Sequence, residues 1–398
     1  MRKSLLLLVF LTGTAVRGAA QTVSTPALTY PAGVRAAGDA LSADAAGNLY
    51  ASDYAGTGTG ANGNGSDVLQ ITPAGNVSVF VALPAGSGPA GTGFDQAGNF
   101  YVAAYNTGII YRRTAQGVLG PFVTGLNGPT GIVFDANNNL YVTITGTTVG
   151  GTTVARITPA GQVSTYASGF FYPGGLAFDS AGNLYVSNFV DGQIKRVTPA
   201  GAVSTFITLS GGGFAVPLGY LAVIGNNLYA TNIGGNQIYR VNLLGTPAAT
   251  VLAGTGAAGS TDGPAASARF DGPNGLAVAD GGATLYVTET NPSPRRLRRI
   301  TGLVLATGAA RPADALRLGN YPNPAGAATT IAYTLPAPGP VQFVLRTATG
   351  QVVDARALGW QRSGPQQLTV ATAALRAGCY TYTLTSAGGT QTRKLVIY

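Results

Sequence analysis

From about residue 40 to residue 300 the chain is a succession of short apolar runs, each roughly four to six residues long and fenced by Gly, Asn, Asp or Pro. The clearest run sits in Asp-Xaa-Xaa-Gly-Asn-Leu-Tyr-Val and close variants, at 44–51, 95–102, 135–142 and 179–186, then more loosely at 225–230 and 281–287. Its tyrosines, Tyr50, Tyr101, Tyr141, Tyr185, Tyr229 and Tyr286, stand roughly 40 to 57 residues apart, the length of one four-stranded blade of a radial β-repeat. Six copies predict a six-bladed β-propeller. In the best copy the strands fall at 175–179, 183–187, 193–198 and 203–207. Leu184 and Val186 point to one face of their strand and Tyr185 to the other, so both faces are apolar and need a sheet on each side, as stacked blades supply. The repeated aspartates Asp44, Asp95, Asp135 and Asp179 each precede a hairpin and are expected to cap their own turns.

The two ends of the chain break the pattern. A basic start at Arg2-Lys3, the apolar run 5–11 and small residues at 18–20 read as a secretory signal peptide over 1–20, too short to span a membrane. The propeller is expected over 21–306. Gly308 to Asp314 has the composition of a linker, placed at 307–316. Beyond it, 317–398 alternates with strand period and turn signals, which predicts a small Ig-like β-sandwich. The fold class is therefore all-β, a propeller followed by a sandwich. For ring closure, Val23-Ser24-Thr25 matches the outer-strand Val-Ser-Thr of other blades and could pair beside 297–301; alternatively 303–305 completes the last blade.

Two resemblances are specific at this point. Gly-Leu-Ala-Phe-Asp, Gly-Asn-Leu-Tyr-Val and Ile-Lys-Arg-Val-Thr-Pro-Ala-Gly, together with 268–277, resemble NHL-repeat propellers of the SMP-30/gluconolactonase-like superfamily, over roughly 34–301. The opening Tyr321-Pro322-Asn323-Pro324, then Leu375-Arg376-Ala377-Gly378-Cys379-Tyr380 and the Lys394-Leu395-Val396-Ile397 end, are similar to the type A sorting domain of the Bacteroidetes type IX secretion system. That resemblance implies passage through the periplasm and export by the type IX machinery, with the protein released or held at the outer-membrane surface.

Charge changes little. The net charge of +9 comes from the signal peptide and the C-terminal domain, while between Gln21 and Asp314 acids and bases balance, so no nucleic-acid partner is expected. The Arg295-Arg296 and Arg298-Arg299 cluster lies on a third strand, where basic residues recur, and reads as a solvated blade edge. Cys379, the one cysteine, reads as a small buried residue of an alternating strand.

The chain has no histidine, which removes the usual general base and imidazole metal sites. Tyr172-Pro173-Gly174-Gly175-Leu176-Ala177 resembles streptogramin lyases, but that family's reaction depends on a histidine. Gluconolactonases of the regucalcin type hold a divalent cation with Glu, Asn and Asp, and the resemblance implies Asp39, Asn274 and Glu289 as the positions to weigh. The first blade lacks the Leu-Gly-Glu-Gly-Pro of that family. Residues after the second strands, Tyr54, Tyr105, Asn106, Asn188, Phe189 and Asn232, with Phe171 and Tyr172 between blades, combine rings with amides in a way that suits a glycan, peptide or protein ligand. The expectation is a non-catalytic binding module without a cofactor. The alternatives are a metal-dependent lactonase using calcium or another divalent cation, and a structural scaffold.

Overall fold

The computed structural model describes residues 20–31, 38–44, 46–54, 65–147, 151–211, 214–215, 217–291, 295–303, 317–321, 324–335, 338–386 and 389–397. Residues 1–19 of the expected signal peptide and the expected linker 307–316 lie outside them. The chain divides into two compact units, Met1–Leu305 and Ala306–Tyr398.

The first unit holds six antiparallel blades. Their innermost strands are Leu41–Ala43, Pro89–Phe94, Pro129–Phe134, Pro173–Phe178, Leu218–Ile224 and Pro273–Ala279. Each touches the next in this order, and Pro273–Ala279 returns against Leu41–Ala43, so the ring is a closed six-bladed propeller. Besides strands, the described residues of this unit include one 3-10 turn at Asp280–Gly282.

The apolar pattern explains the stacking. Leu184 and Val186 are fully buried with Tyr141 and Val154 of the preceding blade, while Tyr185 packs with Leu218, Leu221 and Leu228 of the following one. The aspartate turns are equally regular. Asp179 accepts the N–H groups of Ala181 and Asn183 at 2.9 Å on one oxygen, and the Asn183 amide at 2.8 Å and the Tyr185 hydroxyl at 3.2 Å on the other. Asp44, Asp95 and Asp135 repeat this arrangement, so the Asp, Asn and Tyr of the motif form one hydrogen-bonded unit. Burial works to raise the pKa of Asp44 and Asp135, but the four hydrogen bonds outweigh it and hold both carboxyls below the usual range.

The N-terminal strand Thr22–Ser24 closes the ring. It pairs with Arg296–Thr301 as Thr22↔Thr301, Val23↔Ile300 and Ser24↔Arg299, and Gly263–Pro264 adds a further strand outside it. The first of the two closure modes is therefore present; 304–305 of the other lie outside the described residues. This added edge corrects the reading of the basic cluster. Arg299 is exposed, but Arg298 has no solvent exposure, because the 261–270 segment folds over it. Its guanidinium lies over the Phe270 ring and donates to Thr261 O, Arg269 O, Asp262 at 2.8 Å and Glu289 at 2.9 Å.

The second unit is a sandwich of two antiparallel sheets. Arg317–Tyr321, Ala328–Leu335 and Gly364–Ala371 form one; Val352–Gln361, Gly339–Thr347, Gly378–Ser386 and Gly389–Ile397 form the other. Ile331, Tyr333, Phe343, Leu345, Tyr382, Leu384 and Leu395 fill its core. The Tyr382 hydroxyl donates to Asn320 at 3.1 Å, tying the opening strand to the last hairpin. Cys379 is exposed, not buried. Tyr380, Tyr382 and Leu384 take the inward positions of that strand, and the period of two turns Cys379 outward.

Candidate functional site

A cavity of about 470 Å³ lies on the channel axis, at the end where the inner strands begin, and all six blades contribute to it. Its lining comes mostly from two positions of the repeat. One is the second residue of the triplet that opens an inner strand, Pro-Xaa-Gly in four blades, Gly38-Asp39-Ala40 in blade one and Leu218-Gly219-Tyr220 in blade five; it is occupied by Asp39, Ala90, Thr130, Gly174, Gly219 and Asn274. The other lies just after the second strand, occupied by Tyr54, Tyr105, Thr145, Phe189, Ile233 and Thr290. Tyr172, Tyr220 and Arg295 reach the cavity from outside these positions.

The local backbone explains the placement. Pairing shifts register between Pro89 and Thr92, Pro129 and Ile132, Pro173 and Leu176, Leu218 and Leu221, and Pro273 and Leu276. A bulge at each point re-aims the intervening residue toward the axis. The glycine that follows is a packing requirement. A Cβ on Gly131 would stand 2.4 Å from Gly174 O and one on Gly275 2.0 Å from Asp39 O. Blade five carries Tyr220 at this position, and its ring adds to the cavity lining.

Buried hydroxyls lock these strands together. Ser52, Thr143, Ser187, Thr231 and Thr288 each donate across to the next inner strand, at Ala90 O, Gly174 O, Gly219 O, Asn274 O and Asp39 O, over 2.6 to 2.8 Å. Blade two has Ala103 at the corresponding place.

The polar centre of the cavity is Asp39. It accepts the Asn274 amide at 2.5 Å. Burial pushes its carboxyl up to about 7, with the Asp53 charge adding to the rise, while the Arg295 guanidinium and the Asn274 hydrogen bond pull the other way. Arg295 donates to Asp53 at 3.0 Å, and Asp53 is almost fully buried. The buried Tyr220 hydroxyl has no hydrogen-bond partner among the described residues, and burial raises its pKa well above the usual phenol value, with Asp39 contributing. Around this centre Tyr54 and Tyr105 meet edge to face at 5.4 Å, and the Tyr105 hydroxyl donates to Gly146 O at 2.6 Å. Tyr172 has φ of 48°, a left-handed conformation uncommon for a bulky residue. Hydrogen bonds from Tyr172 N to Gly151 O and from Phe189 N to Tyr172 O hold it there.

Of the residues singled out in the sequence, Tyr54, Tyr172, Phe189, Asp39 and Asn274 line this cavity. Asn106 is exposed and donates to Gly86 O; Phe171 is half exposed beside Tyr172. Asn188 and Asn232 are buried turn formers: the first accepts Phe171 N and donates to Asp191, and the second accepts Gly235 N. Their position in the repeat faces between blades, and the next residue faces the axis. Tyr105, singled out with Asn106, lines the cavity as well; the sequence does not point to Tyr220, and it places Arg295 on a solvated blade edge.

A divalent cation held by Asp39, Asn274 and Glu289 does not fit this arrangement. Glu289 is fully buried outside the cavity lining, and one of its oxygens accepts both Arg298 and the Asp271 N–H at 3.0 Å. Among the described residues no group of three or more Asp, Glu or Cys side chains is placed to hold a metal ion.

Residues 320–398 match the secretion system C-terminal sorting domain, which makes this a secreted or cell-surface-attached protein. No helix among the described residues is long and apolar enough to cross a membrane. No curated protein sequence matches the chain. Among solved structures, the propeller is similar to a Bacteroides thetaiotaomicron protein of unknown function, with TM-score 0.54, 17% identity, and coverage of 71% of this chain and 76% of that one. It is similar to a Xanthomonas campestris gluconolactonase, with TM-score 0.51, 16% identity, and coverage of 68% and 88%. A calcium-binding regucalcin from Agrobacterium tumefaciens gives TM-score 0.50, 15% identity, and coverage of 67% and 90%. At these identities the likeness establishes the propeller fold alone.

Proposed function

We propose that the propeller is the working part of an exported protein and binds a small organic ligand in the axial cavity without transforming it. The observation that carries this reading is where the repeat varies. Its turn, core and hydroxyl positions are nearly uniform from blade to blade, whereas the two positions facing the axis hold Asp, Asn, Tyr, Phe, Ile, Thr, Ala and Gly. A scaffold has no need for that variety at the axis. A volume of about 470 Å³ lies within the usual range for small-ligand sites. The left-handed backbone of Tyr172 supports the same reading, since such conformations cost about 1–3 kcal/mol and tend to persist where a side chain must be aimed. Type IX export delivers this module to the cell surface or beyond, and the sorting domain is its address.

A lactonase is the competing activity, because gluconolactonases share the fold. Against it stand the absence of that family's Leu-Gly-Glu-Gly-Pro from the first blade and the engagement of Glu289 with Arg298. The test is a thermal-shift panel of sugars, sugar lactones, amino acids and organic amines on the full chain, with turnover of each lactone followed in calcium, manganese and zinc. Stabilisation by one compound class without turnover is expected. Metal-dependent lactone hydrolysis that disappears in Asp39→Ala would replace this reading.

A further inference from the structure

We propose that the axial cavity recognises an organic cation, a ligand carrying one ammonium or quaternary nitrogen, which the rings of Tyr54, Tyr105, Tyr172 and Phe189 surround and the Asp39 carboxylate neutralises. This rests on the reading of the cavity as a ligand site and names the chemistry of its occupant.

The first observation is that Asp39 lacks an ion pair among the described residues. The Arg295 guanidinium acts on Asp39 but gives its 3.0 Å ion pair to Asp53. Asp39 receives only the neutral Asn274 amide as a hydrogen bond to its side chain among the described residues. Among the described residues, Asp39 and Arg295 are the charged groups of the cavity wall. The other described groups that act on Asp39 are Tyr220 from blade five and Tyr54 from blade one, both phenols that stay neutral at physiological pH. Among the described residues the Asp39 carboxylate therefore has no cation at ion-pair distance. Burial raises the Asp39 carboxyl to about 7 against the pull of Arg295 and Asn274, so near neutrality a proton competes for the place that a ligand cation would fill.

The second observation is the wall. Tyr54, Tyr105, Tyr172 and Phe189 line one cavity, joined by Tyr220 from blade five, and ring faces attract cations most strongly where water is excluded. An anionic ligand would meet those negative faces and Asp39 together. A neutral sugar could stack on the rings but would leave Asp39 without an ion pair.

The experiment uses the full chain, choline as probe and 3,3-dimethyl-1-butanol as its uncharged isostere, with affinities from titration calorimetry. At about pH 8, where Asp39 is ionised, choline is expected to bind at least roughly tenfold more tightly than the isostere. Near pH 5.5 that advantage should shrink several-fold, because the ligand must then displace a proton. Asp39→Asn should remove the pH dependence and most of the charge preference, and Tyr54→Leu should weaken choline at both pH values. Circular dichroism of both variants confirms the fold. Equal binding of the isostere, or choline binding indifferent to both substitutions, overturns the proposal. Binding of a neutral sugar with no response to choline overturns it while leaving the cavity as a ligand site, whereas silence of every compound overturns both.

Discussion

Asp39 is a carboxyl that the fold prefers protonated, and this has a measurable cost. Its pKa is raised from 3.8 to about 7, so its contribution to stability is fully present below pH 3.8 and is lost as pH rises through about 7. Asp39→Asn keeps an acceptor for the Asn274 amide and removes the titration. Relative to this variant, the wild-type protein should lose stability between about pH 4 and pH 7, by at most about 1.4 kcal/mol per pH unit, read as the difference in unfolding midpoint. Parallel stability curves for the two proteins would show that Asp39 is not desolvated. At this scale the sequence was partly readable. The capping aspartates follow from the chemistry of Asp-Xaa-Xaa-Gly turns, the rings Tyr54, Tyr105 and Phe189 from their place after a strand, and Tyr172 from the loop between blades. Asn188, Asn232 and Cys379 were misjudged because a shift of one residue along a strand or its exit reverses the facing.

The elements show why the blades stay in register. Ser187 accepts Gly175 N–H at 2.9 Å and donates to Gly219 O at 2.7 Å, in a place with no access to water. Ser187→Ala should therefore cost about 1–3 kcal/mol, measured by urea unfolding, because both backbone groups lose their partner. The same substitution at exposed Ser204, on the outer strand of this blade, should be nearly neutral, and equal losses at the two sites would refute the bridging role. In the last blade the N-terminal strand depends on Asp262, which accepts Thr25 N at 2.8 Å and Thr25 Oγ1 at 3.0 Å while pairing with Arg298. Arg298 pairs in turn with Glu289, both side chains fully buried. Glu289→Ala removes one of the two carboxylates paired with the buried Arg298 guanidinium and should destabilise the propeller by up to roughly 3–5 kcal/mol, whether or not calcium is added. A loss that appears only with calcium would return Glu289 to the role of metal ligand. The closing strand was visible in sequence as a stray Val-Ser-Thr. The ion-pair chain was not, because its members are scattered from 262 to 298 and meet only when the ring closes.

For the whole molecule, the chain separates into a ring that carries the cavity and a sandwich that carries the address. A protein ending at Leu305 keeps every described propeller strand and hydroxyl bridge, so it should fold with the same midpoint as the ring in the full chain. Expressed in its host, it should accumulate in the periplasm, and immunoblots of cell fractions would show this. Full recovery of the truncated protein outside the cell would contradict the assignment of export to the C-terminal domain. The blade number was the most legible property of all, since six tyrosine-centred copies recur and four of them impose the same Asp-Asn-Tyr turn. What the ring holds was the least legible, because a channel wall takes one or two residues from each blade and no local motif records them.

The cavity can be tested directly with paired proteins, wild type and a Tyr54→Ala/Tyr172→Ala variant, titrated in a calorimeter with the compound that most stabilises the full chain. Both residues line the cavity, and neither takes part in the hydroxyl bridges or the ring-closing ion pairs. Binding at one site per chain in the wild type, weakened at least roughly tenfold in the variant while its unfolding midpoint changes little, is the predicted result. Unchanged affinity in the variant would place the ligand elsewhere on the propeller and contradict the axial site.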